Sequence, residues 1–206
     1  MRISCVLSLV GILATNFLIA DEGSVESQTQ LAIRKMELLG GKVTRNEKLP
    51  EQPVIEVNLE GSKRFTNGHL HLLLAFDQLT VLNLRKTRIT DKGASSIIKL
   101  TNLSKLNLAD TAITDEGLKE ISQLESLTTL TLNDTQVTDV GLLRLSQLKN
   151  LRSVLLLRTA ITDSGEAEIA KLRPDLRIRR IGNPAIKEFK GLDKRKLESM
   201  ILIKDR

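Results

Sequence analysis

Apolar and polar positions recur along this chain with a period of 24 residues. From Leu79 onwards each period reads Leu-x-x-Leu-x-Leu-x-x-Thr-x-Ile, and four copies of this frame fill residues 79–174. Valine takes the place of leucine or isoleucine at Val137 and Val154. Recurrence at intervals of 20–50 residues is typical of proteins built from stacked repeats. The leucines that open the four repeats are Leu79, Leu103, Leu127 and Leu151.

Each period predicts one short strand followed by one short helix. The alternation of apolar and polar residues from Leu82 to Leu84 favours a strand with one buried face. Ile97 and Leu100 have the spacing of one helix face. A repeat buries about six large apolar side chains, which contributes roughly 10–20 kcal/mol, whereas ordering its backbone costs roughly 24–48 kcal/mol. A single repeat is therefore unstable alone, and the repeats must stack.

The repeated pattern resembles the leucine-rich repeat, with threonine where many members carry asparagine or cysteine. Its Ile-Thr-Asp-x-Gly ending is similar to the ribonuclease-inhibitor-like class found in secreted bacterial repeat proteins and in F-box substrate receptors. The resemblance covers residues 54–181. It implies an α/β solenoid, a horseshoe with a parallel sheet on the concave side and short helices on the convex side.

A weaker repeat and a terminal strand extend this domain beyond the four clear repeats. Residues 57–70 fit the frame with one additional residue, with Phe65 at the isoleucine position and Asn67 at the aspartate position. After the fourth repeat, residues 174–182 predict a terminal strand. The predicted repeat domain accordingly spans residues 54–181.

The residues before the repeats predict a cap for one end of the stack. Within residues 21–53, a helix is predicted that ends at Gly40 and Gly41, followed by a short edge strand over Lys42–Arg45. Beyond the repeats, residues 182–206 predict a basic tail or a final short helix. The apolar residues that share one face of the predicted capping helix are Val25, Ala32, Ile33, Met36 and Leu39.

Residues 1–20 have the features of a secretory signal peptide. Arg2 precedes an apolar stretch over residues 6–20, which is short for a membrane-spanning helix. Cleavage after Ala20 would remove Cys5, the single cysteine of the chain, so disulfides are not expected in the mature protein. These features predict export to a periplasmic, envelope-associated or extracellular location. The alternative is a chain anchored by an uncleaved N-terminal segment.

Positive charge is concentrated at the C-terminal end. Residues 173–206 contain eleven Lys/Arg and five Asp/Glu, which accounts for the whole net charge of +6. This end is either solvated or binds an anionic envelope surface. Nucleic acid is not expected as a partner, because the predicted export separates the chain from it and aromatic residues make up only 2 % of the chain.

The aspartates of the Ile-Thr-Asp-x-Gly sequences have two interpretations. Directly before a predicted helix, a carboxylate can cap backbone N–H groups and interact favourably with the helix dipole. A column of carboxylates could instead bind calcium, but calcium takes six to eight oxygen ligands and one aspartate per repeat does not supply them. We therefore predict structural helix caps, each on its own helix, at Asp91, Asp115, Asp139 and Asp163.

The outward positions of the predicted strands vary from repeat to repeat while the apolar frame is constant, which favours a partner-binding surface. Leu155 and Leu157 are predicted to face solvent, either as an apolar anchor for a partner or as a contact for the C-terminal segment. The predicted partner-binding residues are Asn83, Arg85, Lys105, Asn107, Asp110, Thr131, Asn133, Asp134, Leu155, Leu157 and Arg158.

The sequence provides no motif for catalysis or for a cofactor. It has no nucleophile motif and no phosphate-binding loop, and its only histidines, His69 and His71, form at most a weak metal pair. We therefore expect a non-enzymatic exported protein that mediates protein–protein interaction through its concave face and needs no cofactor or metal. The alternative is an envelope-associated structural protein held by its basic C-terminal tail.

Overall fold

The computed structural model describes residues 27–180. The predicted signal peptide, Val25 of the capping helix and the predicted basic tail lie outside the described residues. Helix α1 (Gln28–Leu38) and strand β1 (Lys42–Arg45) come first. The remaining elements in chain order are β2 (Val54–Asn58), a 3-10 helix (Asn67–Ala75), β3 (Val81–Asn83), α2 (Asp91–Ile97), β4 (Lys105–Asn107), α3 (Asp115–Ile121), β5 (Thr129–Thr131), α4 (Asp139–Arg144), a 3-10 turn (Leu145–Gln147), β6 (Ser153–Leu155), α5 (Asp163–Leu172) and β7 (Arg177–Arg179).

The strands form one open sheet in sequential order, β1 to β7. Strand β1 pairs with β2 in antiparallel orientation, and every later pair is parallel. From β3 onwards equivalent residues of adjacent repeats stand opposite each other, as Leu82 and Leu106 do. Strand–helix alternation with a parallel sheet confirms the predicted α/β leucine-rich repeat horseshoe.

The core is a column of aliphatic side chains between the sheet and the helices. In the first clear repeat Leu82, Leu84, Ile89 and Ile97 are buried, and their equivalents in later repeats continue the same column. Phe65 is fully buried in the weaker repeat, where it fills the isoleucine position. Burial of apolar area is the main stabilising term for such a stack.

Helix α1 covers the N-terminal end of this column. Ala32, Ile33 and Met36 are buried, and Leu39 is partly buried against the core. The Ser62 hydroxyl donates to the carbonyl of Leu39 and so joins this cap to the weaker repeat. The first strands therefore do not expose their core residues at this end.

A sharp turn follows each strand and directs the chain towards the helical side. One residue in each turn adopts a left-handed backbone conformation, with φ between 55° and 57° in the four clear repeats. The repeated threonine comes next, and the Thr87 hydroxyl donates to the carbonyl of Leu84 at 2.6 Å. The left-handed residues are Lys86, Asp110, Asp134 and Arg158, with Gly61 at φ 76° in the weaker repeat.

Candidate functional site

The outward side chains of the sheet form two rows that cross all the strands. Strand pairing sets equivalent positions opposite one another, so each row gathers one residue from every repeat. The first row contains Thr44, Glu56, Val81, Lys105, Thr129, Ser153 and Arg177. The second row contains Lys42, Asn58, Asn83, Asn107, Thr131, Leu155 and Arg179.

The charged residues predicted just beyond the strands are engaged in ion pairs between neighbouring repeats. Arg85 Nη1 lies 3.1 Å from Glu60 Oε1, and Arg85 Nε lies 3.5 Å from Asp110 Oδ2. The Arg158 guanidinium donates two hydrogen bonds to the Asp134 carboxylate. Half-exposed pairs of this kind contribute about 0–1 kcal/mol each. Four predicted binding residues are thus already in contact with another side chain of the fold.

The predicted asparagines accept backbone hydrogen bonds at the strand ends. Asn83 Oδ1 accepts from Arg85 N at 3.1 Å, and Asn107 Oδ1 accepts from Ala109 N at 3.0 Å. Asn133 differs, because its Oδ1 accepts from Leu157 N of the next repeat at 2.8 Å. Their carbonyl oxygens therefore stabilise the turns, a local role that short polar side chains commonly have.

The prediction that Leu157 faces solvent is wrong. Leu157 is 5 % exposed, and Ala109 at the same position of an earlier repeat is 2 % exposed. Strand β6 ends at Leu155, so the alternation of inward and outward side chains no longer applies two residues later. The left-handed turn at Arg158 and the hydrogen bond from Asn133 hold this segment against the neighbouring repeat. Leu155 remains half-buried on the outward side.

On strands β4 to β7, five polar side chains of the two rows have no partner within the described part of the chain. They make no side-chain hydrogen bond or ion pair among residues 27–180, whereas the charged residues just beyond the strands, such as Arg85 and Arg158, do. They occupy four adjacent strands, β4 to β7, and we call them the open strip. Its members are Lys105, Thr129, Thr131, Ser153 and Arg177.

The sequence assigned Lys105 and Thr131 to the binding surface. It placed Thr129 and Ser153 among the outward strand positions without assigning them to that surface, and it did not assign Arg177. Arg177 was missed because it lies in the terminal strand, where the frame of four repeats has ended. It stands opposite Ser153 in the sheet, 24 residues further along the chain. Continuing the repeat spacing by one period would have found it.

Asp91, Asp115 and Asp139 cap helices, but each caps the helix of the following repeat, so the prediction of a cap on the same helix is wrong. Asp91 Oδ1 accepts from Thr114 N at 2.8 Å and from Gly117 N at 3.0 Å, and both belong to the start of α3. Asp115 and Asp139 repeat the contact with Thr138 N and Thr162 N, each at 2.8 Å.

The N-cap position of each helix is occupied by the threonine that precedes the aspartate. Thr114 Oγ1 accepts from Glu116 N at 3.3 Å, and Thr162 Oγ1 accepts from Gly165 N at 3.2 Å. The aspartate is the first helical residue, and its side chain extends to the neighbouring repeat. Sequence inspection of one repeat alone does not reveal a contact made across 23 residues.

Asp163 is the last aspartate of this series and caps no following helix, since no repeat helix follows it in the described chain. Its carboxylate accepts a hydrogen bond from the Arg180 guanidinium, whose side chain is only 5 % exposed. Arg180 also donates to Glu166 Oε2 and to the carbonyl of Ile161, each at 2.9 Å. An arginine therefore supplies the donors that a further repeat would have supplied.

A second arginine lies at the same end of the stack. Arg173 donates to the carbonyl of Leu148 at 2.6 Å and to that of Leu151 at 2.9 Å. It also donates to the Asp175 carboxylate, and this hydrogen bond lowers the pKa of Asp175 to about 2.

The histidines do not form a metal pair. His69 Nδ1 accepts from Thr66 N at 3.2 Å at the start of the 3-10 helix, and its ring lies 5.8 Å from that of Phe65. His71 Nδ1 contacts the carbonyl of Gly68 at 2.7 Å. Over residues 27–180, no group of three or more His, Cys, Asp or Glu is placed to hold a metal ion. None of the helices within these residues has the length and apolar composition of a bilayer-spanning segment.

Comparison with known proteins agrees with this architecture. Residues 77–137 match the family described as leucine rich repeat. No curated protein sequence shows significant similarity to the chain.

Similar solved structures include internalin C2 of Listeria monocytogenes, which is 29 % identical over 53 % of this chain and 45 % of its own, with a TM-score of 0.44. A leucine-rich repeat protein of Leptospira interrogans is 23 % identical over 71 % of this chain and 39 % of its own, with a TM-score of 0.47. This chain thus spans less than half the length of either protein.

A third similar structure is the leucine-rich repeat ectodomain of the receptor kinase SOBIR1 of Arabidopsis thaliana. It is 12 % identical over 75 % of this chain and 92 % of its own, with a TM-score of 0.48. The family match covers two of the clear repeats and part of a third, and the strand–helix repeats of the structure continue the same leucine-rich repeat pattern on both sides of it.

Proposed function

We propose that this protein is an exported, non-enzymatic leucine-rich repeat protein whose concave face binds another protein. Leucine-rich repeat proteins are typically binding scaffolds for proteins. The observation that carries the proposal is the outward face of the sheet, where side chains differ between repeats while the buried frame is constant. An open, shallow surface of this kind suits a macromolecule better than a small substrate.

The proposal is tested by placing bulk and charge on the concave face. The triple variant Lys105→Glu, Thr131→Arg, Leu155→Arg is compared with the wild type in chemical cross-linking of cell extract, followed by mass spectrometry. We expect the cross-linked partner to be lost, because unpaired or repelling charges inside an interface cost several kcal/mol.

A matched control places the same kinds of side chain on the convex side. Lys92 and Ser95 on α2 and Val140 on α4 are exposed there, and Val140 is 61 % exposed. The variant Lys92→Glu, Ser95→Arg, Val140→Arg should keep the partner. If both variants retain the same cross-linked proteins, the concave face is not the binding surface.

Export is the second part of the proposal and rests on residues 1–20. We propose a signal peptide at 1–20, a cap at 21–53, the repeat domain at 54–181 and a basic tail at 182–206. N-terminal sequencing of the mature protein should begin at Asp21. A mature protein that starts at Met1 and sediments with membranes would instead support the uncleaved anchor.

A second candidate function follows from the charge at the C-terminal end. Residues 173–206 contain the entire excess of positive charge, which suits an envelope-associated structural protein bound to an anionic surface. Two of these arginines, Arg173 and Arg180, are engaged within the fold, so residues 182–206 would supply most of the attraction. Deleting residues 183–206 should then release the protein from envelope fractions, whereas unchanged retention excludes this candidate.

A further inference from the structure

We infer that the open strip binds an extended segment of the partner that presents two acidic side chains four residues apart. This inference rests on the proposed function and specifies the partner chemistry of the same face. Its anchors are Lys105 on β4 and Arg177 on β7, which lie in the same row of the sheet.

Charge complementarity is the first argument. Both cations are exposed, and neither makes an ion pair among the described residues. The two outward rows hold no carboxylate from β3 to β7 within those residues. Asp110 and Asp134, just beyond the strands, already pair with arginines, and so does Asp175, two residues before Arg177. The strip therefore has positive charge that the fold does not neutralise, and an acidic partner would supply the missing anions.

The spacing of the two cations is the second argument. Lys105 and Arg177 are separated by three strand intervals, and neighbouring strands lie about 4.8 Å apart, so the row spans about 14 Å. An extended peptide rises about 3.4 Å per residue, so four residues also span about 14 Å. An even separation directs both acidic side chains to the same side of the peptide, towards the strip.

The side chains between the anchors match the middle of such a segment. The hydroxyls of Thr129, Ser153 and Thr131 have no partner in the described fold and can donate to or accept from a peptide backbone. Leu155 stands beside Ser153 in the second row and is half-buried, so it offers an apolar contact. The preferred ligand is therefore an acidic segment with uncharged residues between its two carboxylates.

The test begins with selection from a displayed library of random octapeptides on the full chain. We expect enriched peptides to carry Asp or Glu at positions i and i+4. A fluorescently labelled peptide from this set is then measured by anisotropy against its version with both acids changed to Gln. The Gln peptide and the variant Lys105→Glu/Arg177→Glu should each weaken binding by about tenfold or more.

The control variant is Lys92→Glu/Lys171→Glu, which reverses two exposed cations on helices α2 and α5. It has the same net charge as the strip variant and should bind like the wild type. A peptide with Lys at both acidic positions should regain affinity for Lys105→Glu/Arg177→Glu. Equal loss in both variants would mean that net charge governs binding, and would overturn the inference.

Other outcomes also decide the question. A selection that enriches no acidic pair, or enriches pairs at another spacing, overturns the inference. Competition by inorganic tripolyphosphate at lower concentration than the acidic peptide would assign the strip to phosphate polymers, against the inference. If the concave-face triple variant loses its partner while the library selects no acidic peptide, the proposed function stands and only this inference fails.

Discussion

At the scale of single residues, the aspartate of one Ile-Thr-Asp-x-Gly sequence and the glycine of the next one meet in a contact between adjacent repeats. A Cβ atom built on Gly141 would come within 3.0 Å of the Asp115 carboxylate of the preceding repeat. Gly117 and Gly165 stand in the same relation to Asp91 and Asp139. The glycine is required because the preceding aspartate caps the helix through the space that a side chain would occupy.

A double-mutant cycle at this contact should show coupling. Gly141→Ala should destabilise the protein by about 1–3 kcal/mol through steric overlap, and Asp115→Ala by about 0.5–2 kcal/mol through loss of the cap. In the double variant the methyl group takes the place of the carboxylate, so the cost should be less than the sum. Urea denaturation measures the three free energies of unfolding.

The control for this cycle is Asp115→Asn. In the weaker repeat Asn67 already makes the same contact, accepting from Thr90 N at 3.1 Å and donating to Thr90 Oγ1 at 2.8 Å. Asparagine should therefore retain most of the stability that alanine loses. Strictly additive effects of Asp115→Ala and Gly141→Ala would contradict the shared contact.

The Asp175 carboxylate predicts a component of acid sensitivity. The hydrogen bond from Arg173 lowers its pKa from 3.8 to about 2. A lowered pKa in the folded state means that the stabilisation is complete above the unfolded pKa and is lost as the pH falls from about 4 towards 2. Asp175→Asn should therefore lose less stability than the wild type over this interval, measured by urea denaturation at each pH. Glu168→Gln, at an exposed site on α5, should follow the wild-type profile.

At the scale of structural elements, the turn after each strand determines how the chain passes from sheet to helix. Lys86 N donates to the carbonyl of Ala109 at 2.9 Å, and Gly61 N makes the equivalent bond to Arg85 at 2.8 Å. Both residues have left-handed backbones, which cost non-glycine residues about 1–2 kcal/mol. The clear repeats carry this strain, and the weaker repeat avoids it with glycine.

Exchange of the residue types at these two turns should change stability in opposite directions. Lys86→Gly should stabilise the protein by about 0.5–1 kcal/mol, and Gly61→Ala should destabilise it by about 1 kcal/mol. A Cβ on Gly61 would meet no atom within 4 Å, so the effect there is conformational rather than steric. Thermal unfolding monitored by circular dichroism measures both changes. Stabilisation by Gly61→Ala would refute the role assigned to the turn.

The order of strands and helices could be predicted from the sequence because the leucine frame fixes which residues are buried. The outward site was harder to predict, because alternation along each strand was the only sequence signal for the side chains that face outward. That rule holds from Val81 to Asn83 but fails at Leu157, which lies in the turn. Pairings such as that of Arg158 with Asp134 depend on contact between repeats, which a single repeat sequence does not specify.

At the scale of the whole molecule, each repeat is stabilised by contacts with its neighbours. Each end of the stack lacks a neighbour on one side, so particular side chains are needed there to replace those contacts. Helix α1 buries Met36 against the first repeats. At the other end Arg180 and Arg173 donate to carbonyls and carboxylates of the last repeat. In a stack with nearest-neighbour contacts, loss of one end should open the adjacent repeat before the distant ones.

Replacement of Arg180 tests this arrangement. Arg180→Met keeps an apolar stem but leaves the carbonyl of Ile161 and the carboxylate of Glu166 without their donor, which should cost about 1–3 kcal/mol locally. Hydrogen exchange should show faster exchange of amides in residues 151–179 and unchanged exchange in residues 54–100. Arg152→Met removes an exposed arginine that pairs with Asp175 at 2.9 Å, so it should have little effect. Uniform acceleration along the whole chain after Arg180→Met would instead mean that the stack unfolds as one cooperative unit, with the terminal arginine stabilising all of it.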